Sequence, residues 1–350
     1  MRIEKWIRVQ GFYRRLLPEE IRNRITPIMV NSTKILPKNR GRGECRVTFG
    51  PYNANKTFYV IRTGQPFFGL FALTSTVIDH IQYAKRRGWI PIVDGWNYYN
   101  AVIQDVENKF KSNAWEYYYE PVSRYRMADV WNSKKVVLSS LLCEPYCKLR
   151  MAGYSKLTEE NIKYLHDIFE QNIKIRKDIR EEAERQYKKL IGGKRVLGVA
   201  YRAQFKLFEK ENDILSYNHP KQAAEEQYYN EIDRLLEAGK YEYIFLSMDG
   251  REIFEKFKKR YGDKCIYLQR KLPHRNKKGR EQSVEFDFDK SGLNRIDFET
   301  ETRTYMIETL LLSRCAGLLA SMSGNVKMAL IWNNGKYDWK KIYFAGKMAN

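Results

Sequence analysis

The chain has 350 residues, of which 63 are Lys or Arg and 42 are Asp or Glu, so its formal net charge is +21 at pH 7. This length exceeds what one hydrophobic core usually organises, and we therefore expect about two domains. Hydrophobic residues make up 43% of the chain and aromatic residues 14%, with only 10 prolines. This composition is typical of packed globular proteins and excludes wholesale disorder.

The cysteines and the hydropathy pattern narrow the class of protein further. The 5 cysteines are odd in number, and the close pair Cys143 and Cys147 has no second pair or His cluster that would complete a zinc site. No run approaches the roughly 18 apolar residues of a membrane span. The first 20 residues carry charges where a signal peptide has an apolar core. We therefore expect a cytoplasmic protein that is neither secreted nor membrane-spanning.

Residues 1–56 are predicted to be a basic amphipathic lead-in. Lys and Arg outnumber Asp and Glu by 12 to 4 in the first 46 residues, and the apolar residues between Trp6 and Leu17 can share one helical face. Two interpretations stay open. The segment is either a surface helix that docks on its own domain or, through residues 1–25, a contact with the anionic inner face of the cell membrane.

Residues 57–155 are predicted to form an N-terminal α/β domain. Thr57–Arg62 and Trp89–Asp94 are short apolar runs typical of buried parallel strands, and the apolar spacing over residues 69–88 is helical. A strand, a helix and a strand at this spacing predict a βαβ unit, to which Val136–Leu142 adds a further strand.

A single connecting helix, residues 156–193, and a second α/β domain, residues 194–350, are predicted to follow. Thr158 can cap the helix, and Gly192 with Gly193 can end it. Beyond it the apolar patterns alternate as in a Rossmann-like domain. The predicted strands are Arg195–Tyr201, Tyr241–Ser247, Cys265–Leu268 and Gly317–Ala320, and the predicted helices are Pro220–Ala238, Arg251–Tyr261, Thr304–Ser313 and Asn325–Ile331.

Two α/β domains place the default ligand site in the cleft at the carboxyl ends of their strands. The strand around Val199 ends in Tyr201 and Arg202. The permanent charge and forked donors of an arginine suit a phosphate or diphosphate. Taken alone, an arginine in this position is more often part of a structural or surface ion pair.

Further features follow this arginine in a particular order. They are His219-Pro220 at the start of a helix, Phe245–Asp249 at the end of a strand and Ser321–Asn325 at the start of another helix. With Arg202, this series resembles the C-terminal half of the fucosyltransferase superfamily, which includes α-1,6-fucosyltransferases, the nodulation fucosyltransferase and protein O-fucosyltransferases. The segments of the N-terminal half that are similar to bacterial glycan-synthesis members are Gly64–Phe71, Ile90–Asp94 and Asn113–Glu120.

The resemblance implies two Rossmann-like domains that face a cleft, which is the GT-B architecture of glycosyltransferases, and a GDP-sugar such as GDP-fucose as the donor. It places Arg202 on the donor diphosphate, where the arginine would stabilise charge on the leaving nucleotide. The residues that it implies for nucleotide-sugar binding are Tyr201, Arg202, His219, Asp249, Glu308, Ser321, Ser323 and Asn325. The family works without a metal, so no metal and no further cofactor are expected.

The turn at Ser323 has two interpretations. The N-terminus of a helix binds anions through its free N–H groups, whereas Ser323 or Asn325 can also simply cap the helix.

The chain departs from the family pattern beside Arg202. Ala200 stands where the family has a histidine, Ala203 follows the arginine, and Phe205 stands where an aspartate is customary. These losses of polar groups leave open a catalytically degenerate relative that acts as a binding or scaffold protein.

An inverting transfer needs a general base close to the acceptor hydroxyl. Glu209 or Glu211 could supply the carboxylate that accepts the proton of an acceptor hydroxyl, although a solvated surface carboxylate is commoner on such a loop. Asp287-Phe288-Asp289 matches the metal-holding pattern of another glycosyltransferase class, but its late position favours an exposed acidic turn. Arg270–Arg280 is either a clamp for a diphosphate or a basic loop without a specific ligand.

The N-terminal domain is predicted to hold the acceptor. The candidate acceptor residues are Gln65, Gly69, Asp94, Trp115 and Glu116. The aromatic residues at 115 and 117–119 are predicted to form a shelf for a sugar ring, with some of the four packing in the core.

The sequence therefore predicts an inverting, metal-independent, fucosyltransferase-like enzyme that acts on a bacterial surface glycan or a lipid-linked acceptor. A nucleic-acid-binding protein is the competing class, because the chain is basic and rich in aromatic residues. The sequence has no RNP-like signature, zinc finger or tandem module. We accordingly expect no nucleic-acid partner.

Overall fold

The computed structural model describes residues 44–62, 69–95, 113–140, 157–201, 223–248, 250–270 and 295–343, with the backbone alone for 295–299. These residues fall into two compact units. The N-terminal unit lies within Met1–Ala152 and Ile168–Arg176, and the C-terminal unit lies within Gly153–Asp167 and Lys177–Asn350. Among the described residues, no helix is both long enough and apolar enough to cross a membrane.

The N-terminal unit is built on a four-stranded sheet of order β1-β4-β2-β3. Its elements are β1 (Cys45–Val47), β2 (Tyr52–Arg62), α1 (Leu70–Arg86), β3 (Ile90–Asp94), a 3₁₀ turn (Ala114–Tyr117), α2 (Met127–Val130) and β4 (Ser133–Leu138). Strand β2 is parallel to both β3 and β4, and β1 is antiparallel to β4. The predicted βαβ unit is therefore confirmed as β2-α1-β3.

The boundary predicted at residue 56 is wrong, because β1 and the first half of β2 precede it. Tyr52 pairs with Ser133 of β4, and the backbone N–H groups of Phe49 and Gly50 donate to the Ser133 carbonyl. The register shifts between Tyr52 and Thr57, and Asn53 adopts a left-handed φ of 53°. Asn53 and Asn55, residues of a type that favours turns, are accommodated within this irregular strand.

The C-terminal unit is built on a five-stranded, entirely parallel sheet of order β7-β6-β5-β8-β9. Its strands are β5 (Val196–Tyr201), β6 (Tyr243–Met248), β7 (Cys265–Ile266), β8 (Gly317–Ser321) and β9 (Trp339–Tyr343). Its helices include α5 (Glu225–Glu237), α6 (Arg251–Tyr261), α7 (Arg295–Leu312) and α8 (Gly324–Asn333). The alternating pattern confirms the predicted α/β class, while β9 was not predicted.

The prediction of one helix over residues 156–193 is wrong. The chain forms α3 (Glu159–Asn172) and α4 (Lys177–Leu190), with Ile175 in an antiparallel bridge to Tyr119. The N–H of Glu120 donates to the Lys174 carbonyl at 2.8 Å, and the N–H of Arg176 donates to the Tyr118 carbonyl at 3.0 Å. These bonds take backbone groups that a continuous helix would have paired internally.

The order of the strands fixes where polar side chains can meet. Strand β5 lies in the middle of the C-terminal sheet, with β6 on one side and β8 on the other. The core between β5, β6 and helices α5 and α6 includes Leu197, Val199, Tyr228, Ile232 and Phe257. Because the strand order reverses at β5, the crevice for a ligand lies at the carboxyl ends of β5, β6 and β8.

Candidate functional site

A small polar pocket lies at this carboxyl edge of the C-terminal sheet. Its lining residues are Ala200, Tyr201, Ser247, Met248, Tyr305, Ser323 and Asn325. They come from the ends of β5 and β6, from α7 and from the first turn of α8. Four residues predicted for the nucleotide site or its strand ends, Tyr201, Ser247, Ser323 and Asn325, are thereby brought together.

Ser323 is the residue from which α8 starts, yet its side chain does not cap the helix. Its hydroxyl donates to the Asn325 Oδ1 at 2.6 Å and makes no bond to the helix backbone. The Ser323 carbonyl accepts the Lys327 N–H at 3.0 Å, so the helix is properly formed behind it. The first N–H groups of a helix have no intrahelical partner, and here they lie uncapped by Ser323 beside the pocket.

Glu308 of α7 lies behind Ser247, with 3% of its surface exposed. The Ser247 hydroxyl donates to its Oε1 at 2.6 Å, and the Asn325 side-chain amide donates to the Ser247 Oγ at 3.3 Å. Glu308 is therefore connected to the pocket through Ser247. The predicted contact between Glu308 and a donor stays a prediction.

Arg270 is the buried partner of Glu308. Its Nε lies 3.3 Å from the Glu308 Oε2, with the two side chains 10% and 3% exposed. Its Nη2 donates to the Met248 carbonyl at 2.7 Å, and its guanidinium lies 5.0 Å from the centre of the Tyr305 ring. The first arginine of the basic run is thus fixed by three contacts, whereas the remainder of that run lies outside the described residues.

Ser321 is buried away from the pocket in a contact between elements. The Tyr228 hydroxyl lies 2.8 Å from the Ser321 Oγ and donates to the Ala200 carbonyl at 3.0 Å. Burial raises the pKa of Tyr228 well above its ordinary value, so the phenol stays protonated. Ser321 joins β8 to α5 and β5, and its predicted nucleotide contact stays a prediction.

Several predicted residues lie outside the described residues. They are Gln65, Arg202, Glu209, Glu211, His219, Asp249 and the Asp287–Asp289 pattern. Arg202 directly follows Tyr201, the last residue of β5, and Asp249 directly follows Met248, the last residue of β6. Within the ranges that the structure describes, no group of three His, Cys, Asp or Glu residues could hold a metal ion.

The carboxyl edge of the N-terminal sheet carries two buried charged residues. Asp94 ends β3 and is paired in register with Arg62, which ends β2. The Arg62 Nε donates to the Ser139 carbonyl at 2.5 Å, and the backbone N–H of Arg62 donates to the Ser139 hydroxyl at 3.0 Å. Gly69 occupies the N-cap position of α1. Asp94 is thus part of a buried polar edge, and Gly69 lies at the start of the helix that connects β2 to β3.

The predicted aromatic shelf is not formed. Trp115 is 1% exposed, stacks on Tyr119 at 4.2 Å and donates its indole N–H to the Glu120 carbonyl at 3.0 Å. Tyr119 is buried as well, bonded to the Thr74 hydroxyl at 2.8 Å. These rings pack in the core because their polar atoms find protein partners there. Glu116 is half-buried, and its carbonyl accepts a 3.3 Å bond from the Arg176 Nη1.

Sequence reasoning missed Asn113, which organises the turn after β3. Its Oδ1 accepts the Gly95 N–H at 3.0 Å and the Trp115 N–H at 3.2 Å. Its side-chain amide donates to the Val93 carbonyl at 2.7 Å. An Asn just before a turn is a typical sequence signal for this kind of capping. Tyr305, which lines the pocket from α7, was also not predicted. An aromatic residue in a helical pattern carries no sequence signal for such a position.

A comparison with solved structures finds fucosyltransferases among the similar chains. The structure of NodZ α-1,6-fucosyltransferase co-crystallised with GDP is 14% identical, with 78% of this chain and 92% of that chain covered and a TM-score of 0.44. Fucosyltransferase NodZ from Bradyrhizobium is 16% identical, with 78% and 92% covered and a TM-score of 0.43. POFUT1 in complex with GDP is 8% identical, with 83% and 99% covered and a TM-score of 0.42.

No family model matches the sequence, and no curated protein matches it either.

Proposed function

We propose that this protein is a glycosyltransferase that binds a nucleotide-sugar donor at the carboxyl edge of its C-terminal sheet. The observation that carries the proposal is the uncapped start of α8, where the Ser323 hydroxyl is bonded to Asn325 instead of the helix backbone. Free N–H groups and the positive end of the helix dipole favour an anion. A diphosphate is the anionic part of every nucleotide-sugar of the GDP or UDP kind.

The proposed chemistry is departure of the nucleoside diphosphate. Negative charge develops on the diphosphate as the glycosidic bond breaks, and fixed donors aimed at that charge lower the barrier. The N–H groups of α8 are such donors, and Arg202, next in sequence after Tyr201, is proposed to add a permanent positive charge. Tyr201, His219 and Asp249 are proposed to complete the donor site.

The resemblance in sequence supplies the finer assignment. It names GDP-fucose as the donor and an inverting transfer without a metal. Glu209 or Glu211 is proposed as the base that takes the proton from the acceptor hydroxyl as that oxygen attacks the sugar. This leaves the sugar on the acceptor and releases the nucleoside diphosphate.

The acceptor is proposed to be a bacterial surface glycan or its lipid-linked precursor. Gln65, Gly69, Asp94 and Glu116 of the N-terminal unit are proposed to contact it. A lipid-linked acceptor would be met at the inner face of the cell membrane through the basic residues 1–25. The GT-B architecture that the resemblance implies is part of the same proposal.

One observation favours a second candidate, a relative that binds the nucleotide without turning it over. Ala200 lines the pocket and presents only a methyl group where the family has a histidine. A binding or scaffold protein of this kind would retain the α8 site and lack transfer.

The test is thermal unfolding of the full chain with GDP, UDP, TDP, CMP and their sugars, with and without Mg²⁺. A ligand that binds only the folded state raises the midpoint. We expect GDP and GDP-fucose to do so without Mg²⁺, and Arg202→Ala to remove the effect while leaving the unliganded midpoint in place.

Other outcomes of this panel each decide something. A shift with another nucleotide keeps the transferase class and overturns the GDP assignment, whereas no shift with any nucleotide overturns the proposal. GDP binding without release of GDP from GDP-fucose, tested with glycan acceptors, supports the binding protein instead of the enzyme.

A further inference from the structure

A series of hydrogen bonds connects the buried Arg270–Glu308 ion pair to the start of α8. The Ser247 hydroxyl donates to the Glu308 Oε1, and the Asn325 amide donates to the Ser247 Oγ. The Ser323 hydroxyl then donates to the Asn325 Oδ1. All of these side chains are buried or nearly so.

The charge on Glu308 sets this direction. A carboxylate only accepts hydrogen bonds, so the single proton of Ser247 is committed to Glu308. The Ser247 oxygen can then only accept, which turns the NH₂ group of Asn325 toward it. The Asn325 carbonyl consequently faces Ser323, and the proton of Ser323 is drawn to that carbonyl.

Arg270 holds Glu308 in the place where this sequence starts. Its contacts with the Glu308 Oε2, the Met248 carbonyl and the Tyr305 ring fix the guanidinium on three sides. A buried ion pair of this kind is no more stable than a well-packed apolar pair. Its effect on the orientation of neighbouring polar groups is what an apolar pair would not reproduce.

We propose that Arg270 is a positioning residue which, through Glu308, Ser247 and Asn325, holds the Ser323 hydroxyl away from the N-terminus of α8. The first N–H groups of the helix are thereby left without a side-chain cap, as donors for a diphosphate. The inference rests on the proposed function for the identity of the ligand. It assigns Glu308 an indirect role, without contact to the nucleobase.

Loss of the charge on Glu308 should release Ser323 to cap its own helix. In Glu308→Gln the side chain can donate to Ser247, and the direction of the sequence is no longer fixed. The freed hydroxyl then caps α8, and a diphosphate must displace it. We expect GDP affinity to fall about fivefold, measured by calorimetry on the full chain.

Removal of the Ser323 hydroxyl separates this explanation from its competitors. In the double variant Glu308→Gln with Ser323→Ala no cap can form, so GDP affinity should return to that of Ser323→Ala alone. A double variant as weak as Glu308→Gln would overturn the inference, because loss of a direct contact cannot be restored in this way.

A comparison of GDP with IDP, which lacks the 2-amino group, tests for direct base contact. We expect Glu308→Gln to lower the affinity for GDP and the affinity for IDP by the same factor. The double variant Arg270→Met with Glu308→Met should likewise lower both affinities equally. A changed GDP to IDP ratio would overturn the indirect role. Asp178→Asn is the matched control, since the Asp178–Arg303 pair also involves α7 but contacts none of these side chains, and it should leave affinity unchanged.

Hydrogen exchange tests the inference without any nucleotide. Val326 is buried, so the comparison is between variants: its backbone N–H should exchange more slowly in Glu308→Gln than in the wild-type protein. The difference should vanish when Ser323→Ala is added. Equal exchange in all three proteins would overturn the inference. If the wild-type protein binds no nucleoside diphosphate but shows this exchange pattern, the proposed function fails and the positioning role stands.

Discussion

His80 lies on α1 with 1% of its surface exposed, and its Nδ1 is 2.9 Å from the Tyr59 hydroxyl. Burial, assisted by the nearby charge of Arg62, lowers the pKa of His80 to about 4 from its ordinary value of 6.5. The unfolded chain therefore binds this proton more readily than the folded protein. Stability that depends on neutral His80 is present above pH 6.5 and is lost as the pH falls toward 4.

The resulting prediction concerns the pH dependence of unfolding. Between pH 7 and pH 5 we expect the free energy of unfolding to decrease by about 2 kcal/mol more in the wild-type protein than in His80→Asn. Urea unfolding at the two pH values measures the difference. Equal slopes for both proteins would show that His80 does not carry this dependence.

Gly317 is a second residue at which one atom decides the outcome. A Cβ added there would lie 2.2 Å from the Tyr241 hydroxyl oxygen and 2.6 Å from the ring carbon that bears it. The ring cannot readily retreat, because its hydroxyl donates to Asp338 at 2.6 Å. Gly317→Ala should therefore destabilise the protein by about 2 kcal/mol, measured by urea unfolding.

The control for this clash is the same substitution after Tyr241→Ala. With the ring removed, Gly317→Ala should cost much less, and the two changes should be non-additive. An equal cost in both backgrounds would assign the effect to the strand itself.

At the scale of elements, the break between α3 and α4 can be tested at Arg176, which takes part in one of the two backbone bonds there. Its N–H donates to the Tyr118 carbonyl, and its side chain donates to the Glu116 carbonyl. Arg176→Pro removes both bonds, whereas Arg176→Ala removes only the second. We expect Arg176→Pro to be less stable than Arg176→Ala by about 1 kcal/mol in urea unfolding. Equal stability would mean that the bridge at Ile175 contributes nothing measurable.

The same elements explain why the break was not predicted. Ile173 and Ile179 are both buried, and they belong to the series of apolar residues near helical spacing from which one continuous helix was predicted. The stop comes from backbone partners at Tyr118 and Glu120. A pattern along one segment contains no information about a carbonyl that another segment offers.

For the whole molecule, the formal charge of +21 predicts non-specific attraction to polyanions. We expect a generic single-stranded oligonucleotide to bind at low salt and to be released steeply as the salt concentration approaches about 200 mM, without base preference. Fluorescence anisotropy over a salt series measures this. Base-specific affinity that survives the salt would instead support the nucleic-acid-binding class.

The sequence by itself determined the alternation of strands and helices. A strand that is buried on both faces of a parallel sheet is apolar along nearly its whole length, as in Val196–Tyr201 and Gly317–Ser321. Such a run can be recognised in the sequence without knowledge of the neighbouring strands. It also indicated that polar groups lie at the carboxyl ends of β6 and β8, since Ser247 is near the end of β6 and Ser323 and Asn325 follow β8.

The tertiary structure alone decided what those polar groups do. Whether Trp115 packs in the core, whether the Ser321 hydroxyl is bonded to Tyr228, and whether Glu308 is paired with Arg270 depend on partners from distant segments. A hydrogen bond or an ion pair forms only when both groups are brought within about 3 Å. Residue type predicts the capacity for such a bond, and packing selects the partner.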